Sequence, residues 1–183
     1  MRIRVLSIIL LFTVIGCEQY TEVKSTPYFK LDSLLTAQVD QLSQRNVTLR
    51  KKAMVNGEVE EETLEADSSL WAEELAIFRE LDLNKPGTLN AYEVSKSNSR
   101  IVYNLKPEEK QSGVISMEIE LENGTPTNLE AEFVEDNNLY TSNRKYLMTF
   151  SNQAALKSYK ITGRQKVAFG DWVDYEVEGE IVK

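Results

Sequence analysis

"VISMEIELE", Val114–Glu122, alternates without a break. Ile115, Met117, Ile119 and Leu121 fall on one face, and Ser116, Glu118, Glu120 and Glu122 on the other. Successive side chains of a strand point to opposite faces, so the pattern reads as an antiparallel strand with one face in a core and one in water. Downstream, Leu129, Ala131 and Phe133 alternate with Glu130 and Glu132 in the same way. Keeping the two apolar faces together requires an odd-numbered loop, taken as Asn123 to Thr127. That loop opposes Leu121 with Leu129, Ile119 with Ala131 and Met117 with Phe133.

The same register sets Glu120 against Glu130 and Glu118 against Glu132. Directly opposed like charges destabilise a sheet. Glu118, Glu120, Glu130 and Glu132 are therefore candidate ligands for a hard cation such as Ca²⁺, which takes carboxylate oxygens. The competing reading is that basic residues of neighbouring strands offset them, namely Arg144 and Lys145, Lys157 and Lys160, Arg164 and Lys166.

The alternation runs on through Tyr146, Met148 and Phe150, then Tyr159 and Ile161, Val167 and Phe169, and Val173, Tyr175, Val177 and Ile181. Taking Gly170-Asp171-Trp172 as a three-residue loop opposes Phe169 with Val173, Val167 with Tyr175 and Arg164 with Glu178. Upstream, Asn56-Gly57 is a strong two-residue hairpin signal. It pairs Met54 with Val59, Lys52 with Glu61, Lys51 with Glu62 and Leu49 with Leu64, matching charge to opposite charge. A polar region from Asn90 to Ser112 holds one predicted strand, Arg100 to Leu105.

Two segments follow the helical period instead. Leu31, Leu34, Leu35 and Leu42, with Val39 at the margin, predict a helix over 30–44; Trp71, Leu75, Phe78 and Leu81 predict one over 69–81, with Asp67-Ser68 as N-caps and Lys85-Pro86-Gly87 beyond its end. The expected fold class is α+β: an antiparallel β-sheet meander with one face covered by two amphipathic helices and the other charged.

The chain has 183 residues. Arg2 and Arg4, an apolar run from Val5 and the small Gly16 have the layout of a secretory signal. The run is too short to span a bilayer, which takes about 20 apolar residues. Val14-Ile15-Gly16-Cys17 is similar to a bacterial lipobox, in which the cysteine is acylated and becomes the new N-terminus. Residues 1–16 then read as signal peptide, 17–27 as acylated N-terminus and polar tether, and 28–183 as one folded domain. The mature chain carries 19 basic and 29 acidic residues, two arginines fewer than the 21 Lys+Arg of the precursor. That acidity gives no electrostatic reason to bind nucleic acid, and it leaves membrane attachment to the acyl chains on Cys17.

The chain contains no histidine and one cysteine. Ser-His-Asp and Cys-His machinery and histidine-bound zinc or haem are thereby excluded, and Cys17 has no disulfide partner. Phosphate-cradling glycine loops and dinucleotide fingerprints are missing too, so no cofactor and no catalytic residue are expected. Asp32-Ser33-Leu34 matches a short O-glycosylation pattern at Ser33, and equally a helix start.

Tyr28-Phe29, Arg50 to Gly57, Asp82 to Pro86 and Ser158 to Gly163 together resemble a family of uncharacterised lipoproteins of Bacteroidota. This chain departs from that pattern at Gly87-Thr88-Leu89, where the family carries an aromatic. The resemblance implies a palmitate-bearing outer-membrane lipoprotein of the cell envelope and brings no activity. The expected function is a non-enzymatic binding or scaffolding module, with an envelope protein as partner or an apolar ligand carried between sheet and helices. The alternative is a carboxylate-dependent hydrolase of envelope glycans, which needs two acids about 5–9.5 Å apart in a cleft. Cys17→Ser is expected to abolish incorporation of labelled palmitate, and continued labelling would contradict the lipobox reading.

Overall fold

The computed structural model describes residues 28–45 and 47–182; the signal, Cys17 and the tether lie outside the described residues. Helix α1 (Leu31–Gln44) leads to strands β1 (Thr48–Val55) and β2 (Glu58–Glu65), then helix α2 (Ser68–Ala76) and a 3₁₀ segment (Ile77–Leu81). Seven more strands follow: β3 (Tyr92–Lys96), β4 (Arg100–Leu105), β5 (Gly113–Glu122), β6 (Thr125–Asp136), β7 (Tyr140–Phe150), β8 (Leu156–Val167) and β9 (Val173–Val182). They form one antiparallel sheet in the order β2-β1-β9-β8-β7-β6-β5-β4-β3. The chain is thus mostly antiparallel sheet with two helices, a seven-stranded meander whose last strand accepts the β1–β2 hairpin.

The α2 segment starts where Asp67 caps it, its carboxylate accepting from the Leu70 amide at 2.9 Å. That bond, first among its partners, holds the Asp67 carboxyl below its ordinary range. The predicted single helix over 69–81 tightens to 3₁₀ geometry after Ala76. Strand β3 is a second strand in the polar region where only Arg100 to Leu105 was predicted, and it escapes the alternation signal because only Tyr92 at its start is buried.

The three predicted registers fared differently. The β1–β2 hairpin pairs as expected, Leu49 with Leu64 and Lys52 with Glu61, because Asn56 and Gly57 both take positive φ, 51° and 90°, as a two-residue turn requires. Between β5 and β6 the expected five-residue loop is replaced by a two-residue turn at Asn123-Gly124, with φ of 53° and 81°. A bulge that skips Thr127 supplies the odd residue: Leu121 pairs with Pro126, but Glu120 with Asn128. Ile119 therefore faces Leu129 and Met117 faces Ala131, two residues from the expected pairing and on the expected face. A second bulge skips Ile115, so Val114, not Ile115, is the buried residue there.

The three-residue loop before β9 is also corrected. Gln165 pairs with Val173, and Val167 and Phe169 are exposed rather than inward. What sets this register is a pair of glycine–tyrosine contacts: Gly163 lies opposite Tyr175, and Gly179 opposite Tyr159. A Cβ on Gly163 would lie 2.4 Å from the Tyr175 ring, and one on Gly179 would lie 2.3 Å from the Tyr159 ring. Each ring occupies the space that a side chain on its partner would need.

One hydrophobic cluster contains Leu31, Leu35 and Leu42 of α1, Trp71 and Leu75 of α2, Phe78 and Leu81 of the 3₁₀ segment, and Met117, Ile119, Leu129, Tyr146, Met148, Tyr159 and Ile161 of the sheet. Gln38 is buried among them, donating to the Ala154 carbonyl and accepting from the Leu156 amide, both at 2.7 Å, so it ties α1 to the β7–β8 turn. Gly179→Ala should force the buried Tyr159 ring aside and cost about 1–3 kcal/mol. Urea unfolding measures this, and an unchanged midpoint would contradict the register argument.

Candidate functional site

The 3₁₀ segment meets strands β7 and β8 in an aromatic cluster. Phe78 packs edge-on to Tyr146 at 5.7 Å and to Tyr159 at 5.5 Å between ring centroids. Tyr159 donates to Glu74 at 2.5 Å, and Tyr146 donates to Glu80. Each carboxylate also takes a cation, Lys51 on Glu74 at 2.6 Å and Arg144 on Glu80 at 2.7 Å. Burial first, and the neighbouring carboxylate second, push both tyrosines far above the ordinary phenol range. No sequence signal singled out Glu74 or Glu80, because both occupy polar positions of a helical pattern.

Trp71, Leu75, Phe78 and Leu81 are all fully buried at this interface. The apolar ligand expected between sheet and helices has no cavity there among the grooves described below, none of which is lined by a helix residue. Tyr28-Phe29 and the Asp82–Pro86 segment also meet. Asn84 accepts from the Tyr28 amide at 3.2 Å and donates to the Phe29 carbonyl at 2.9 Å, while the Phe29 amide donates to the Tyr103 hydroxyl at 3.0 Å. The Tyr28-Phe29 and Asp82–Pro86 motifs thus explain each other structurally.

The opposite face of the sheet is open. Two grooves cross it, of about 500 Å³ over β4 to β8 and about 640 Å³ over β7, β8, β9 and β1. Charges line them in matched pairs: Arg50 with Glu180, Lys52 with Glu61 at 3.8 Å, Lys160 with Glu178 at 2.7 Å and Glu176 at 2.9 Å, Lys145 with Glu132 at 2.8 Å, and Arg100 with Glu118. Hydrogen bonds that Lys160 donates to Glu178 and Glu176 raise the pKa of its ammonium and lower that of Glu178, and the bond to Glu132 raises that of Lys145. These groups are exposed enough that solvent screens each pair and it adds little to stability. Leu147 and Thr162 lie among the charges, so the face alternates polar and small apolar surface.

The four candidate glutamates sit on this face. Glu120 opposes Asn128 and Glu132 opposes Ser116, so neither expected like-charge pair forms; the shifted register instead sets Glu118 against Glu130. Arg100 takes Glu118, Lys145 takes Glu132, and Asn128 donates to Glu130 at 3.2 Å. Bases of neighbouring strands therefore offset Glu118 and Glu132, while Glu118 and Glu130 stay directly opposed. Among the described residues no group of three or more acids is placed to hold a metal ion. Ser33 is exposed on α1, and its neighbour Asp32 is engaged by Arg79.

No family model and no curated protein matches the sequence. Among solved structures the chain is similar to the S-type phycobiliprotein lyase CPES from Guillardia theta. The identity is 14%, the match covers 86% of this chain and 98% of that one, and the TM-score is 0.28. A score that low does not establish a shared fold.

The two buried tyrosines give a pH signature. They are neutral in the folded chain with raised pKa, whereas unfolded tyrosine ionises near about pH 10. Their contribution to stability is complete below that pH and is lost as pH rises above it. The melting temperature should hold to about pH 9 and fall steeply beyond about pH 10. Ultraviolet titration checks this directly: all eight tyrosines ionising together while the chain stays folded would contradict it.

Proposed function

We propose that this chain is the non-enzymatic binding or scaffolding module of a cell-envelope lipoprotein. Acyl chains on Cys17 hold it at the outer membrane, and its two helices cover one face of the sheet so that the other is presented to a partner. The observation that carries the reading is the contrast between the two faces. One is filled by Trp71, Leu75 and Phe78, and the other holds two contiguous grooves of several hundred Å³, within the size range of ligand sites.

No helix of the described residues is long and apolar enough to cross a membrane, and lipid attachment needs none. The sequence supplies the address through its lipobox, and the absence of histidine and of a partnered cysteine supports a role without nucleophilic catalysis. A partner for the open face is polar, with donors and acceptors that replace the Lys145–Glu132 and Lys160–Glu178 pairs as it docks. Surface pairs are cheap to exchange, so the face can accept such a partner with little loss.

Native mass spectrometry of the protein purified from its own envelope is the test. A co-purifying species should be present with the natural chain and lost in the Lys145→Glu, Lys160→Glu double variant. A species retained by that variant, or none with the natural chain, would contradict binding through this face.

A further inference from the structure

Three turns of the sheet are joined at one of its ends. Strands β1, β6 and β8 finish there, and β2, β7 and β9 begin there, as their antiparallel order requires. The Ala168 amide donates to the Leu139 carbonyl at 2.9 Å, which couples the β8–β9 loop to the β6–β7 turn. Asn56 couples the start of β9 to the β1–β2 turn: its amide donates to the Asp174 carbonyl at 2.9 Å, and its side-chain oxygen accepts from the Asp174 amide at 3.2 Å. The three turns therefore make one bonded tip.

That tip is apolar. Leu139, Val167, Phe169 and Trp172 are exposed on it, with Val55 and Val59 beside the β1–β2 turn. Phe169 is fully exposed, Leu139 is 75% exposed and Val167 60%. Among the described residues nine large apolar side chains are exposed, and these are six of them. Single exposed apolar residues are ordinary, but a group of them at one place marks a contact site. Neither Phe169 nor Trp172 belongs to the hydrophobic cluster of the core.

Charge does not organise this surface. Asp171 stands between the two aromatics, Glu58 follows Gly57 and Lys166 precedes Val167, so both signs are present. The Arg164 guanidinium lies 4.3 Å over the Trp172 ring, with its Nε 3.8 Å from Asp174. The indole is thus held at the rim of the tip beside a cation, an arrangement that suits the boundary between water and lipid, where tryptophan concentrates. Trp172 lies against Arg164, which alternation places on the face of Lys160 and Thr162, while Val167 lies with Tyr140 towards the helix side. Apolar groups therefore leave the sheet end on both sides, as contact with a fluid surface requires and contact with one face of a folded partner does not.

The described chain also starts at this end. Tyr28 packs edge-on against Tyr92, the first residue of β3, at 5.7 Å between ring centroids. Strand β3 begins at the end where β6 and β8 finish, five steps across the sheet from β8, or about 24 Å at about 4.8 Å per step. Cys17 precedes Tyr28 by 11 positions, a reach of at most about 36–40 Å. An acylated Cys17 and the tip can therefore contact one membrane surface together, and the anchor would confine the tip near it.

We propose that this tip docks on a lipid bilayer, with Phe169, Trp172 and Leu139 entering the region between headgroups and acyl chains. The strands then stand on the membrane by their ends, and the open face of the sheet stays clear for a partner. The chemistry of the tip is independent of Cys17, and only its confinement near lipid depends on acylation there.

Tryptophan fluorescence tests this, because the chain has two tryptophans, of which Trp71 is fully buried and Trp172 is at the tip. The full acylated chain and its Cys17→Ser variant are each mixed with an excess of phosphatidylethanolamine and phosphatidylglycerol vesicles whose acyl chains are brominated. Trp172 emission should shift to the blue and be quenched about twofold or more in the acylated chain, while Trp172→Phe, which leaves only Trp71, stays unquenched. Leu139→Ser combined with Phe169→Ser alters exposed groups only, so it should keep the melting temperature and lower the partitioning of the Cys17→Ser chain about tenfold or more. Quenching of the Cys17→Ser chain would support the tip even if the natural cysteine carried no lipid. An acylated chain that floats with the vesicles while Trp172 stays unquenched would overturn the tip and leave the anchor standing. Absence of quenching in both chains, quenching unmoved by the double variant, or a dimer in solution that the double variant disperses would overturn the proposal as well.

Discussion

The contact on which the other features depend is Phe78 seated between Tyr146 and Tyr159, with the two phenols bonded to Glu80 and Glu74. The aromatic trio removes a large apolar area from water and adds favourable edge-on geometry. The two glutamates then satisfy hydroxyl groups that would be costly to bury alone. Lys51 and Arg144 complete each cluster, so neither carboxylate is left uncompensated. A helical segment is thereby keyed to two adjacent central strands of the sheet at two points, through residues 66 and 85 positions apart in the chain.

That keying divides the molecule. Apolar surface is consumed where Trp71, Leu75, Phe78 and Leu81 are buried. On the other side, strands that contribute nothing more to the core display lysines and glutamates in register, and function is free to reside there. The grooves of the open face and the apolar tip around Phe169 are what this arrangement leaves available, one facing away from the helices and one at the end of the sheet.

Local chemistry made some of this legible in the sequence. Asn56-Gly57 dictated one register outright, and the stripe Trp71, Leu75, Phe78, Leu81 was fully buried, as its spacing implied. Asn123-Gly124 carries the same turn signal, but the matching of faces argued against a two-residue loop, and a bulge at Thr127 reconciles the two in a way that alternation does not reveal. Val167 and Phe169 alternate like core residues yet are exposed, because the glycines opposite Tyr159 and Tyr175 fix the pairing farther back. A glycine in a strand was the available signal there. Glu74, Glu80 and Gln38 were illegible for a different reason: a polar residue on a helix reads as solvated unless its distant partner is known. The opposed glutamates were half legible, since the two-residue shift of register dissolved both expected pairs and opposed Glu118 with Glu130 instead.

Native-state hydrogen exchange of the full chain tests the keyed interface most directly. If the Phe78 cluster joins helix and sheet into one cooperative unit, the amides of α2 and those of β7 and β8 should exchange with the same free energy, equal to that of global unfolding. Exchange of α2 through a separate opening, far less costly than that of β7 and β8, would contradict the claim that the helices and the central strands form a single unit.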